Sequence, residues 1–132
     1  NVGDSRAYLF GREGLKRLTH DHSLVQRLVD AGKLAAADVF THPHRNVIYN
    51  CLGDADPATI DLTTTQLQLD DRLLLCSDGL WEMVRDEGIE EVLLAEPDPQ
   101  RACDLLVDRA NLAGGEDNIS VIIAQFARMG AA

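Results

Sequence analysis

The stretch DRLLLCSDGLWEMV, residues 71–84, guides the interpretation of the rest of the chain. Its apolar run Leu73-Leu74-Leu75-Cys76 predicts a buried strand. The strand leads straight into Ser77-Asp78-Gly79, and apolar residues resume at Leu80 and Trp81, which we expect to be a core anchor. Asp78 is therefore either an ordinary turn residue or a carboxylate held at the end of a rigid strand.

Length and charge limit the possible functions. The 132 residues fit one domain with a real core, and 45% hydrophobic and 26% charged residues are typical of a globular protein. Twelve basic and 22 acidic residues give a formal charge of -10. That charge argues against nucleic acid or an anionic membrane as a partner, because both require a cationic surface.

The cysteines and the chain start suggest the setting of the protein. Cys51, Cys76 and Cys103 are widely spaced and form no CxxC pair, so we expect reduced, buried thiols and a cytoplasmic location. The chain opens at Asn1 without a methionine, and we expect that further sequence precedes it in the natural protein.

Local patterns predict the order of elements. Residues 2–10 and 15–19 form a hairpin around Gly11–Gly14, and a helix capped by Asp21 or Ser23 ends at Gly32. Residues 33–47 are loop-like, and 47–52 form a strand. The alternating segment 59–69 predicts a strand in a sheet with one solvated face.

The remaining residues predict two helices and a last strand. A short helix covers 89–94, a longer one begins at Pro99 after an Asp98 cap, and 118–126 forms a final buried strand. Strands with helices grouped between them indicate an α+β fold with mainly antiparallel pairing.

Three acidic residues share one local pattern. Asp4, Asp78 and Asp117 each adjoin glycine or small polar residues and a strand-like run. If these strand ends meet at one sheet edge, the carboxylates repel one another unless a cation binds. Oxygen ligands suit Mg²⁺ or Mn²⁺. For any one of the three, a turn or cap role is the simpler alternative.

Longer motifs point to a family. NVGDSRAYLF, LTHDHS, HRNVIYNCLG, DRLLLCSDGLWEMV and GGEDNISVIIAQF occur here in that order. From Asn1 to about Phe126, the chain resembles the C-terminal half or more of the metal-dependent (type 2C) protein serine/threonine phosphatases of bacterial type. The resemblance implies an α+β fold: a partial sandwich of two antiparallel β-sheets flanked by α-helices.

The resemblance also implies roles for particular residues. Asp78 and Asp117 match the aspartates that bind one ion of a central pair, and Asp4 with Asp78 matches those that bind a third, weaker ion. Two or three Mg²⁺ or Mn²⁺ ions are implied in the complete domain. They activate a water molecule for hydrolysis of phosphoserine and phosphothreonine in a phosphoprotein, so no side chain acts as a nucleophile. Residues 24–45, Leu24 to Arg45, fall where the family carries a flap that influences substrate choice.

The chain also departs from the family. The N-terminal motifs that supply a phosphate-binding Arg, a Glu-Asp pair and the metal-bridging Asp-Gly are absent. We therefore expect residues 1–132 to form one incomplete phosphatase domain that is weakly active or inactive alone. Open sheet edges would favour self-association. The alternative is a non-catalytic protein-interaction module derived from the phosphatase fold.

Four histidines and one arginine offer further candidates. The pairs His20/His22 and His42/His44 make zinc conceivable, but no further ligand lies nearby in sequence, and polar loop or capping roles are favoured. Arg6 lies two residues after Asp4, and we expect it to pair with an acid and so hold its motif.

Overall fold

The computed structural model describes residues 1–54 and 56–127. The chain divides into two compact units. The first contains Asn1–Ser5 and Thr19–Thr63, and the second contains Arg6–Leu18 and the described residues from Thr64 onward. The elements in chain order are β1 Arg6–Gly11, β2 Gly14–Arg17, α1 Leu24–Asp30, a 3-10 helix Ala36–Thr41, β3 Arg72–Cys76, α2 Asp78–Ala95, α3 Pro99–Leu112 and β4 Val121–Gln125.

The second unit is a four-stranded sheet with two helices. The strand order is β2-β1-β3-β4 and every pair is antiparallel. Arg6 lies opposite Cys76 and Tyr8 opposite Leu74, so these four residues share one face of the sheet. The predicted hairpin, the strand before Ser77 and the antiparallel α+β class are confirmed.

Helices α2 and α3 supply the core that covers this face. Trp81 is 3% exposed, which confirms it as a core anchor. The buried apolar residues of the second unit are Tyr8, Leu74, Cys76, Leu80, Trp81, Ile89, Val92, Leu93, Ala102, Leu106 and Ala110. Helix α3 begins as predicted, because the Asp98 side chain accepts a hydrogen bond from Arg101 N at 2.8 Å.

The opposite face of the sheet, here called the open face, is also apolar. Its residues come from alternate positions of three strands and pair in two rows: Ala7, Leu75 and Ile122, and Leu9, Leu73 and Ala124. Leu75 is 42% and Ile122 62% exposed. The prediction of a buried final strand is therefore wrong in one respect: β4 exists, but it is a largely exposed edge strand.

The first unit contains α1 and the 3-10 helix. Ser23, one of the two predicted caps, accepts a hydrogen bond from Gln26 N at 3.3 Å through its Oγ. Gly32 follows the helix with a φ of +66°, a conformation that suits glycine. The region predicted to be loop-like contains one short 3-10 helix.

Two predicted strands are absent from the described residues. Residues 47–52 contribute only a single bridge, between Ser23 and Ile48, and 59–69 are extended without a ladder. A strand needs a neighbour for its backbone hydrogen bonds, whatever its side-chain alternation. Leu62, one of the alternating apolar residues, is 92% exposed.

Other differences concern α2 and the thiols. Instead of a short helix over 89–94, α2 runs from Asp78 to Ala95, with a kink at Arg85, where φ is 65° and ψ is 164°. Cys76 is buried as expected, but Cys51 is exposed, which corrects the prediction that all three thiols are buried. None of the described helices is long and apolar enough to cross a membrane.

Candidate metal centre

Asp78 is the first residue of α2 and follows β3 after one residue. The strand is fixed in the core by Leu74 and Cys76, which are buried. Gly79 N donates a hydrogen bond to Asp78 Oδ1 at 2.9 Å. The unpaired N–H groups at a helix start favour a carboxylate there. The predicted strand ahead of Asp78 is confirmed, but Asp78 begins a helix and does not lie in a loop.

Asp117 lies between α3 and β4 and is exposed. Its Oδ1 accepts a hydrogen bond from Asn118 N at 2.6 Å, so it has the same local arrangement as Asp78. Within the described residues, no hydrogen bond reaches Oδ2 of either side chain. Each carboxylate therefore keeps one oxygen available for a ligand.

Ser77 ties the two segments together. Its N donates to Ser120 O at 3.1 Å, and its Oγ donates to Asn118 O at 2.9 Å. The same Oγ accepts from Ser120 N at 3.0 Å. Three hydrogen bonds thus join the residue before Asp78 to the segment after Asp117.

Gly79 allows the closest approach between the segments. A Cβ built on Gly79 would lie 2.5 Å from Asn118 O and 3.3 Å from the carbonyl carbon of Asp117. These are backbone atoms, which cannot rotate aside as a side chain could. The contact therefore places the backbone of Asp117 against the first turn of α2, which begins at Asp78.

The chemistry of this pair fits part of a Mg²⁺ or Mn²⁺ site. Both side chains offer hard oxygen ligands, whereas zinc favours His and Cys. Two carboxylates are fewer than the six ligands that Mg²⁺ prefers. In the part of the chain that the structure describes, no group of three His, Cys, Asp or Glu side chains is placed to hold a metal ion.

Arg6 packs against Trp81, which lies in the first turn of α2 after Asp78. It is buried, and its guanidinium lies 3.5 Å from the centre of the Trp81 ring. One guanidinium nitrogen lies 3.5 Å from Asp86 and donates to Tyr8 Oη at 3.1 Å. Burial raises the pKa of Tyr8, which stays a neutral donor to Asp86 at 2.8 Å. The expected pairing of Arg6 with an acid is confirmed, while its stacking on Trp81 was not predicted.

Asp4, the third candidate ligand, belongs to the first unit and is half-buried. It follows Gly3, which has a φ of +95°. Gly3 N donates to His22 Nδ1, and Gly3 O accepts from His22 N. His22 lies in a loop and binds backbone groups, as predicted, but it is only 4% exposed and therefore buried. The prediction of a polar loop or capping residue also holds for His42, whose Nδ1 accepts from His44 N at 3.1 Å in a turn.

Comparisons with known proteins identify the class. A family model described as stage II sporulation protein E (SpoIIE) matches residues 35–127. The serine/threonine phosphatase stp of Listeria monocytogenes (serotype 4b, strain F2365) is 40% identical over 125 residues, which are 95% of this chain and 50% of that protein. The chain thus spans about half the length of the curated relatives it matches.

Solved structures of serine/threonine phosphatases are also similar to this chain. The serine/threonine phosphatase of S. agalactiae superimposes with a TM-score of 0.88 at 36% identity, over 97% of this chain and 52% of that one. The catalytic domain of the phosphatase PstP, in complex with two manganese ions, gives a TM-score of 0.81 at 32% identity, over 96% and 51%. The fold is thus that of the serine/threonine phosphatases.

The chain belongs to the type 2C protein serine/threonine phosphatase family, in its bacterial form, as its motifs indicated.

Proposed function

We propose that this chain is the C-terminal, metal-binding part of an enzyme that hydrolyses phosphoserine and phosphothreonine in proteins with the help of Mg²⁺ or Mn²⁺. The observation that carries the proposal is the packing of the Asp117 backbone on Gly79, next to Asp78. The negative charge of -10 and the free cysteines of the described residues are consistent with a cytoplasmic enzyme that acts on proteins and binds neither nucleic acid nor membrane.

The chemistry divides between the ions and the chain. When bound, such ions lower the pKa of a water molecule and hold the phosphoryl group for in-line attack. Asp78 and Asp117 supply carboxylate oxygens to one ion of the central pair, and Asp4 helps to hold a weaker one. Ser77 and Gly79 set the spacing between the first two. No side chain of this chain forms a covalent phosphoenzyme.

The domain is incomplete without further residues. The open face, with Leu75 and Ile122 exposed, is what a missing layer of the domain would cover. The chain spans half of its relatives, and we assign the remaining metal ligands to the other half. The isolated chain then has little or no phosphatase activity. Residues 24–45 act as the flap that sorts substrates.

Activity of the full-length protein tests the function. Release of phosphate from a phosphothreonine peptide should require Mn²⁺ and fall at least about a hundredfold in Asp117→Asn, because a metal ligand supplies several kcal/mol to the transition state. Asp108→Asn is the matched control, since Asp108 is an exposed carboxylate on α3. Equal, metal-independent rates in all three proteins would contradict the proposal, and no phosphate release from any of them would favour the interaction module.

The isolated chain should also self-associate. Strand β4 is one of the two edge strands of the described sheet and carries the exposed Ile122, and such edges pair readily with another chain. Light scattering should give a mass above that of a monomer, and Ile122→Lys should lower it. A monomer at all concentrations would contradict this part of the proposal.

A further inference from the structure

His22 is a buried residue at the centre of a hydrogen-bond network in the first unit. Its ring contacts three groups: Gly3 N lies 3.1 Å and Asn50 Nδ2 2.6 Å from Nδ1, and Asp61 Oδ2 lies 2.9 Å from Nε2. Both ring nitrogens are therefore engaged. A histidine with two engaged nitrogens is available neither as a metal ligand nor as a catalytic base.

The network defines which nitrogen carries the proton. Asn50 binds Thr59 through both ends of its amide: its Nδ2 donates to Thr59 O at 2.8 Å, and its Oδ1 accepts from Thr59 N at 3.0 Å. The amide orientation is thus fixed, and Nδ2 is the atom that faces His22. Because Gly3 N and Asn50 Nδ2 are both donors, His22 Nδ1 accepts. Nε2 therefore carries the ring proton and donates a hydrogen bond to Asp61 Oδ2.

His22 holds Gly3 from both sides of that residue. The ring accepts from Gly3 N, and the backbone N of His22 donates to Gly3 O at 3.0 Å. Gly3 has a φ of +95°, which glycine adopts as readily as negative values, so its backbone alone does not fix this turn and the two hydrogen bonds to His22 do. The residue that follows the turn is Asp4.

We propose that His22 is a positioning residue for Asp4: its Nδ1 fixes the Gly3 turn and so fixes the direction from which Asp4 meets a divalent cation. The proposal rests on the ligand role of Asp4 in the proposed function. Partners that orient a ligand in this way are commonly worth ten- to a hundredfold in metal affinity. Asp61 and Asn50 act through His22, because they hold the ring in the required orientation.

Two substitutions separate this role from simple packing. In His22→Asn, the side-chain oxygen can take the place of Nδ1 and accept from Gly3 N. In His22→Gln, the longer side chain places its amide near the Nε2 position and leaves Gly3 N without its acceptor. Both variants lose the imidazole ring, so a purely structural role would affect them alike. His20→Asn is the matched control, because His20 is exposed and, among the described residues, its ring binds only Asp30.

Amide hydrogen exchange on this chain reads the turn without any metal. We expect Gly3 N–H to be protected in the wild type, in His20→Asn and in His22→Asn, and to exchange at least about tenfold faster in His22→Gln. Equal exchange at Gly3 in His22→Asn and His22→Gln would overturn the proposal.

Mn²⁺ titration of the full-length protein then tests the link to Asp4. The weakest site should lose at least about tenfold in affinity in His22→Gln and little in His22→Asn, while the tighter sites keep theirs. A weakest site that is unchanged in His22→Gln, or equally weakened in both variants, overturns the positioning role alone. A wild-type protein that binds no Mn²⁺ at all overturns the proposed function and this inference with it.

Discussion

The carboxylates of this chain are held in place in two different ways. Around Asp78 and Asp117, the structure relies on the backbone: Gly79 packs against the carbonyl of Asn118, and Ser77 binds main-chain atoms on the neighbouring segment. Around Asp4, the turn is held through side chains: Gly3 N donates to His22, which is itself oriented by other side chains, and Asn1 Nδ2 donates to Gly3 O at 3.4 Å.

The difference predicts different sensitivities. The contact at Gly79 is disrupted when a side chain is added, and the contacts of Ser77 are disrupted when its hydroxyl is lost. Neither set of contacts includes a group that titrates near neutral pH. A position held through His22 and Asp61 depends on a carboxylate whose pKa is lowered by its hydrogen bond with His22, so substitution and acid both affect it.

Gly79→Ala should have the largest effect. Its Cβ would lie 2.5 Å from Asn118 O, and a backbone oxygen cannot move aside without shifting the Asp117 segment. We expect a loss of about 1–3 kcal/mol in the free energy of unfolding, measured by urea denaturation.

Gly88→Ala is the matched control on the same helix. There the nearest atom to a new Cβ is Val84 Cγ1 at 2.9 Å, the end of a side chain that can rotate. Alanine also favours helix by about 0.5–1 kcal/mol over glycine. A loss at Gly88 as large as the loss at Gly79 would show that the backbone contact is not what matters.

Ser77→Ala should have an intermediate effect. It removes the Oγ that donates to Asn118 O and accepts from Ser120 N, and we expect a loss of about 1 kcal/mol in unfolding free energy. Ser77→Thr keeps the hydroxyl and should recover most of that loss. If alanine and threonine unfold at the same urea concentration, the hydroxyl does not hold the two segments together.

Asp61→Asn should have the smallest effect, visible only in acid. The hydrogen bond from His22 holds the pKa of Asp61 below its ordinary value of 3.8. A lowered folded-state pKa stabilises the fold above pH 3.8, and this contribution is lost as the pH falls through the folded pKa. The drop in the urea midpoint between pH 6 and pH 3 should therefore be smaller in Asp61→Asn. In Asp38→Asn, an exposed control, the drop should match the wild type.

Local signals predicted the elements that depend on neighbouring residues. The cap at Asp98 and Pro99 set the start of α3, and the apolar run before Ser77 set β3. The alternation over 59–69 predicted a strand that is absent from the described structure, because pairing depends on a distant partner and not on alternation alone. The start of α2 was misplaced because Ser77-Asp78-Gly79 has the composition of a turn.

The candidate site was predicted in part. The shared pattern and the family motifs singled out Asp4, Asp78 and Asp117, but they gave no sign of the close packing at Gly79, which depends on residues nearly forty positions away. The hydrogen-bond network of His22 was missed because its donor, Asn50, and its acceptor, Asp61, are remote in sequence. The HxH pattern offered only zinc binding or a loop as explanations.

Titration calorimetry with Mn²⁺ tests the central claim, that Asp78 and Asp117 bind one ion together. The 132-residue chain should bind Mn²⁺ weakly, and Asp78→Ala and Asp117→Ala should each abolish the heat, while Asp108→Ala leaves it unchanged. Equal heats in the wild type and in Asp78→Ala would remove Asp78 from the site and contradict the account.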